Sequence, residues 1–225
     1  MKLFEIGGAH NYFIEKLENI SKGIELELIF GAAPKTNPIT KKVYLNLIDK
    51  CKENYTFISE ECSLDIRKKF KSNVSNIRCT LNGIDNIKKY CKQDNLNDID
   101  NVEYIIKTFY KNSLKKNKKF FSMKDTDYNV RLNIKNEKQI SDNHKHVIQF
   151  LSDFETTPKH YRYKKRFSFL TSDKLFRIDL TVVKETNYNF NRKTFEFAPT
   201  FRKANILNNK EKYELELEYI GDLNT

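Results

Sequence analysis

Tryptophan is absent from this chain, and glycine and proline are scarce, with six and four residues among 225. So few glycines leave no G-x-x-x-x-G-K-[ST] phosphate loop and no G-x-G-x-x-G fingerprint, so any bound phosphate must be met by side chains. The four cysteines, at 51, 62, 79 and 91, form no Cys-x-x-Cys pair and imply free thiols in a reducing compartment. Lys68, not arginine, stands where Cys62 would need Arg in a Cys-x5-Arg phosphatase, which excludes that chemistry. No apolar run approaches the ~20 residues of a membrane helix, and the start Met-Lys-Leu-Phe-Glu-Ile-Gly-Gly lacks a secretory apolar segment. The expectation is a soluble, intracellular protein without a membrane partner. His144 and His146 lie in a polar stretch with no second ligand cluster, which reads as a surface loop or helix start.

What is present is positive charge and enough apolar residues for a core. The net charge is +11, with 39% hydrophobic and 13% aromatic residues. A basic chain of this kind implies a polyanionic partner, phosphate-bearing ligands first and acidic membranes second, although Lys-, Asn- and Ile-heavy usage also follows from an A/T-rich genome. Residues 1–225 fit a single domain, since no internal repeat or long flexible linker divides them.

Two acidic strand patterns flank everything else. Glu25 and Glu27 alternate with Leu26 and Leu28, and Glu214, Glu216 and Glu218 alternate with Leu215, Leu217 and Tyr219. Because successive side chains of a strand point to opposite faces, the carboxylates share one face of each strand. A single such strand is most often a solvated sheet face. Here the other alternating strands carry mostly basic residues, and a solvent face has no reason to sort its charge by strand. Glutamates on adjacent strands can close around one hard divalent cation.

Helical spacing marks 9–21, through Tyr12, Phe13, Leu17 and Ile20, before a strand at 24–30 and a turn containing Pro34 and Pro38. Thr40 is placed to cap a helix with Tyr44, Leu47, Ile48 and Cys51 on its apolar face. Strands follow at 55–70 and 74–81, and Gly83 ends that unit. The spacing then predicts helix over 84–116, interrupted by a polar joint at 94–101. The lysine-rich run 115–119 reads as a solvated face. Further strands are expected at 118–124, 127–137, 159–171, 174–184, 193–198 and 212–220, with a helix near 142–152.

Strand parity then sorts the polar residues. Arg131, Asn133, Lys135 and Glu137 share one face of 127–137; Arg162, Lys164 and Arg166 share one face of 159–171; Arg177, Asp179 and Thr181 share one face of 174–184. Three like charges in a row are costly without an anion. The expected fold is α+β, mainly an antiparallel β-barrel of about eight strands, polar inside, with helices packed on the outside. Phosphates threaded through such a tunnel would find cations for their oxygens and a carboxylate-held metal, which is most of what phosphoryl transfer requires.

These segments resemble the triphosphate tunnel metalloenzymes, and within them the RNA triphosphatases of fungal, protist and large-DNA-virus mRNA capping systems. Glu-Leu-Glu-Leu at 25–28 is similar to the first glutamate motif and Arg-Tyr-Lys-Lys-Arg at 162–166 to the basic strand. Arg-Ile-Asp-Leu-Thr at 177–181 resembles the following strand, and Glu-Leu-Glu-Leu-Glu at 214–218 the final glutamate motif, all in family order. The resemblance implies Glu25, Glu27 and Glu218 as ligands of Mg2+ or Mn2+, Glu216 beside them orienting the site, and Glu214 tying down wall arginines. It also implies triphosphate binding by Arg131, Lys135, Arg162, Lys164, Arg166 and Arg177, with Asp179 and Thr181 supporting the wall. Arg131, Arg166 and Arg177 would also act in catalysis. Lys184 resembles a family lysine, yet its parity opposes Arg177, so it would reach the tunnel only across a bulge. The water-orienting glutamate is either Glu137, by parity with Arg131, or Glu196.

The function so implied is hydrolysis of the γ-phosphate of 5′-triphosphate RNA, the first step of mRNA capping, with activity on nucleoside triphosphates as well. The chain itself lacks the Lys-x-Asp-Gly motif of a guanylyltransferase, and the resemblance implies fusion to guanylyltransferase and methyltransferase domains in a longer protein and, if it extends to the large-DNA-virus enzymes, a place in a viral factory or virion. Two alternatives stand beside it: a tunnel phosphatase for free nucleotides, tripolyphosphate or thiamine triphosphate, and a non-catalytic basic RNA-binding module. No aromatic-rich RNA-binding signature is visible on the strands, so recognition is expected to centre on the triphosphate end.

Overall fold

In the computed structural model, residues 24–31, 39–71, 73–109, 121–125, 129–189, 191 and 194–221 are described. The sequence readings for 9–21, for the turn with Pro34 and Pro38, and for the lysine run 115–119 lie outside them. The strands are β1 (Ile24–Phe30), β2 (Thr56–Phe70), β3 (Asn73–Val74), β4 (Ile77–Asn82), β5 (Glu103–Phe109) and β6 (Phe121–Asp125). They continue with β7 (Val130–Ile140), β8 (Lys159–Leu170), β9 (Phe176–Glu185), β10 (Tyr188–Asn189), β11 (Thr194–Phe195) and β12 (Lys212–Tyr219). Among the described residues, four α-helices accompany them: α1 (Lys41–Asn54), α2 (Ile84–Gln93), α3 (Lys145–Leu151) and α4 (Phe201–Ala204). None of these helices is long and apolar enough to cross a membrane.

The pairing order β1-β12-β9-β8-β2-β4-β5-β7 returns to its start, because β7 also pairs with β1. Every pairing in that circuit is antiparallel. The ring so closed is the antiparallel barrel that the alternating patterns imply, and closure leaves none of these strands with a fully open edge. Strand β6 extends the sheet beyond β5 on the same edge of β7, and β3 adds a short pairing to the end of β2.

Apolar residues face outward, under the helices. Leu64, Ile66, Cys79, Leu81, Tyr104 and Tyr161 from β2, β4, β5 and β8 form one core with Ile87 and Tyr90 of α2, Val147 and Phe150 of α3, and Phe201 of α4. A second core sets Tyr44, Ile48 and Cys51 of α1 against Phe169, Ile178 and Leu180, with Leu215 and Leu217 of β12 at its margin. Thr40 caps α1 by accepting a bond from the Val43 amide, which satisfies one of the first-turn donors. His144 caps α3 in the same manner, so the His144/His146 pair marks a helix start.

Two sequence expectations need correction. Helix α2 stops at Gln93, where Asp94 takes a left-handed conformation (φ 55°), and Glu103–Phe109 is a strand of the barrel, not helix. Val102, Ile105, Ile106 and Phe109 do fall at helical spacing, but the β-branched content of the segment and its pairing with β4 and β7 override that weak local signal. The 193–198 segment gives the two residues of β11, which form a hairpin with β10 apart from the barrel, and a single bridge from Ala198 to Lys159 of β8.

Candidate functional site

Cross-strand partners in an antiparallel sheet share a face, so the registers decide what lines the barrel. Glu27 stands opposite Glu218, which stands opposite Arg177; Glu216 stands opposite Asp179, and Glu214 opposite Thr181, itself opposite Arg166. On the other side of β1, Glu25 faces Lys135, Glu27 faces Asn133 and Ile29 faces Arg131. Arg162 and Lys164 carry the same parity onto β2, opposite Asp65 and Ser63. The outward cores take the alternate residues of these strands, so this charged set faces the tunnel.

Acidic side chains crowd the β1–β12 wall. Glu27 accepts hydrogen bonds from Lys135 and from Asn133 Nδ2 (3.0 Å). Glu218 is bound by Arg177, and Glu216 Oε2 lies 3.4 Å from Arg166. Burial pushes the Glu218 carboxyl above its ordinary range, and Glu25 and Asp179 push it further against the opposing pull of Arg177. Glu214, paired with Arg162, is raised by burial and by its neighbours Glu216 and Glu185. Carboxylates that raise one another in this way have room for a cation's charge.

The basic residues are fixed by buried carboxylates. Asp179, only 1% exposed, accepts two bonds from Arg177 Nε (3.1 Å to each oxygen) and one from Ser168 (2.7 Å), and it lies 3.2 Å from Arg166. Arg166 Nε also donates to Thr181 Oγ1 (3.3 Å). On the far wall Asp65 takes Lys164 at 2.9 Å, Arg78 at 3.9 Å and the Thr80 hydroxyl at 3.0 Å. Burial alone would raise the Asp65 carboxyl, but Lys164 and Arg78 outweigh it and hold it well below the usual carboxylate range. Arg67 is pushed down to about 10 by burial and by the nearby Arg78, against the opposing pull of Asp65.

The structure thus brings Glu25, Glu27, Arg131, Lys135, Glu137, Arg162, Lys164, Arg166, Arg177, Asp179, Thr181, Glu214, Glu216 and Glu218 to one interior face. It does not bring Lys184 there. Lys184 lies on the outer face, its ammonium donating to the Leu207 carbonyl (2.6 Å), and the β8–β9 register runs without the bulge that would turn it inward. Of the two water-orienting candidates, Glu137 is tied to Arg78 (3.0 Å), whereas Glu196 lies outside the barrel and accepts a bond from Asn187 (3.2 Å). Arg131 Nε is buried without a hydrogen-bond partner among the described residues. Asp65, Arg67, Arg78, His160 and Glu185 also belong to the wall and escaped the sequence reading. For Asp65 and Arg67 the signal was the alternation Ser63, Asp65, Arg67 along β2, where mixed charge hides the pattern.

No protein-family model matches the sequence, nor does any curated protein sequence. Solved structures define the class to which this barrel conforms: the fold is that of RNA triphosphatases. The RNA triphosphatase domain of the trifunctional mimivirus mRNA capping enzyme superposes with a TM-score of 0.64 at 21% identity, covering 95% of this chain and 88% of that one. A triclinic form of the mimivirus capping enzyme triphosphatase gives 0.63 at 20% identity, covering 96% and 89%. The S. pombe RNA triphosphatase gives 0.52 at 15% identity, covering 96% of this chain and 77% of that one.

Among the described residues, no three His, Cys, Asp or Glu side chains stand together closely enough to hold a metal ion as they lie. The donor chemistry of the β1–β12 wall nonetheless fits a hard divalent cation. It offers carboxylate oxygens alone, from Glu25, Glu27 and Glu218, with Glu27 directly across from Glu218, and the upward push on Glu218 is what a cation would relieve. Arg177 and Lys135 now pair with Glu218 and Glu27.

Proposed function

We propose that this chain is a metal-dependent RNA 5′-triphosphatase, which hydrolyses the γ-phosphate of 5′-triphosphate RNA and leaves a 5′-diphosphate end for capping. The observation that carries the reading is the closed tunnel with glutamates on β1 and β12 and cations on β7, β8 and β9, all facing one another. The likeness in fold to RNA triphosphatases supports it.

Arg162, Lys164, Arg166 and Arg177 bind the non-bridging oxygens of the triphosphate, and Arg131 and Lys135 close on it from β7. Arg131, Arg166 and Arg177 carry the charge that grows on the phosphates during transfer. Asp179 and Thr181 hold Arg166 and Arg177 in register, so the cations are positioned before the substrate arrives. Glu216 orients Arg166, and Glu214 holds Arg162. Glu25, Glu27 and Glu218 would hold Mg2+ or Mn2+, which supplies charge neutralisation at the scissile phosphate. Water is the nucleophile, and Glu137 is the glutamate on the inner face best placed by parity to orient it.

Phosphates carry no sequence information, so the tunnel itself supports a second reading, a phosphatase for nucleoside triphosphates, tripolyphosphate or thiamine triphosphate. Phosphate release from triphosphate-ended RNA, ATP and tripolyphosphate, each with and without Mg2+ or Mn2+, separates the readings. RNA turnover that needs metal supports the triphosphatase; turnover of the small substrates alone supports the second reading; no turnover with retained RNA binding returns the protein to a basic binding module. The same reading places residues 1–225 as one domain joined to guanylyltransferase and methyltransferase domains, acting in a viral factory or virion.

A further inference from the structure

A cavity of about 750 Å³ lies outside the barrel, lined by Lys69, Lys71, Pro158, Phe195, Glu196 and Phe197 among others. It adjoins the end of the β2 wall. The inward row on β2 steps from Asp65 to Arg67 to Lys69, where the strand leaves the ring and pairs with β3. Beside it, the Phe195 ring meets His160 (4.5 Å between centroids), whose Nε2 is 3.9 Å from Glu185, and Glu185 is 3.5 Å from Arg162. Contacts therefore run without a break from the cavity to a cation of the tunnel wall.

The lining does not suit a bare phosphate. Phe195 and Phe197 are half-exposed rings, Lys69 lies over the Phe197 ring at 5.6 Å, and the Glu196 carboxylate would repel an anion at its own position. Rings for stacking, lysines for backbone phosphates and a carboxylate to accept from a ribose hydroxyl or base amino group are together the requirements of a nucleotide strand. We propose that this cavity docks the single-stranded RNA behind the triphosphate, with bases against Phe195 and Phe197 and phosphates at Lys69 and Lys71. The proposal rests on the triphosphatase reading for its direction, 5′ end inward. Stacking tolerates any base, so docking here adds affinity for RNA without sequence preference.

The test uses the full chain, Lys69→Ala/Lys71→Ala, whose side chains are exposed, and Phe197→Ala. In one arm, fluorescence anisotropy follows a 5′-hydroxyl single-stranded RNA of about ten nucleotides, which spans a typical single-strand site but has no triphosphate. Binding should weaken roughly tenfold in either variant, the loss of about one stacked base or its phosphate contacts, and the double lysine variant should lower the salt slope by roughly 1.4. In the second arm, KM for triphosphate-ended RNA should rise roughly tenfold relative to KM for tripolyphosphate. Unchanged anisotropy in the double lysine variant, equal KM changes for both substrates, or equally tight binding of a blunt RNA duplex would overturn the docking platform. Absence of turnover by the unmodified protein would instead remove the triphosphatase reading, while the anisotropy arm still decides the platform.

Discussion

The two walls of the tunnel handle charge in opposite ways. On the β2–β4–β8 wall, Asp65 is buried between Lys164, Arg78 and Thr80, and the positive charge of the first two holds its carboxyl well below the usual range. On the β1–β12 wall, glutamates stand beside and across from glutamates, and Glu218 is raised by its own neighbours. Buried ion pairs are strongly destabilising to break, whereas crowded like charges cost stability while they wait for a counter-ion. Asp65 and its partners therefore brace the fold, while the crowded glutamates are where added positive charge would be favourable.

Breaking the acidic wall should have the largest effect on turnover and little on folding. Glu25→Ala and Glu218→Ala are expected to lower phosphate release by about a thousandfold or more. Mn2+ should raise the Tm of the unmodified protein and not that of either variant. Phosphate assays and thermal melts with and without Mn2+ check this, and normal turnover in both variants would refute the metal assignment.

Breaking the neutralised wall should do the reverse. Asp65→Ala leaves Lys164 and Arg78 buried without their shared partner and should cost about 3–5 kcal/mol of stability, measured by urea unfolding. Between these extremes, Arg177→Ala should reduce turnover by about thirty- to a thousandfold, a transition-state loss of about 2–4 kcal/mol, with far less effect on stability than Asp65→Ala. A stability loss in Arg177→Ala as large as that of Asp65→Ala would dissolve the contrast between the walls.

The smallest effect concerns His160, at the end of the neutralised wall. Burial pushes its imidazole down to about 4, and Arg67 and Arg162 add to that against Glu185. The unfolded chain protonates this histidine near 6.5 and the folded one near 4, so between those values the unfolded state binds the extra proton and stability falls as pH falls. One proton corresponds to at most about 1.4 kcal/mol per pH unit. His160→Gln should flatten the stability profile over that window, and urea midpoints from pH 7 to 4 read it out.

The acidic strands, the basic strand at β8 and the following strand at β9 were legible in sequence because polar and apolar residues alternate cleanly, each face with one character. The same parity placed Arg131, Lys135 and Glu137 on the inner face and raised the doubt about Lys184 that its outward bond to Leu207 explains. Strand β5 was not legible. Its inward face includes Ile105, opposite Arg78 and Gln139, so the alternation of polar with apolar that marks a barrel strand is lost and a helical repeat takes its place. The Arg78–Glu137 pair was equally hidden, since it joins β4 to β7 across β5 and nothing local encodes it. The cavity outside the barrel draws on the end of β2, the residue before β8, and β10, β11 and the stretch after them, which no periodicity relates.

Closure through β1 has a consequence for how the protein comes into being. Leu26 pairs with Tyr219 and Phe30 with Leu215, so a strand synthesised early waits for one synthesised almost two hundred residues later. Contacts so distant in sequence fold slowly, because loop entropy is lost before they reward it. During translation β1 has β7 available on one side, but its other edge stays open until β12 leaves the ribosome. Birth of the acidic wall and sealing of the barrel are thus one late event, and no partly made chain can assemble the full glutamate set ahead of its enclosure.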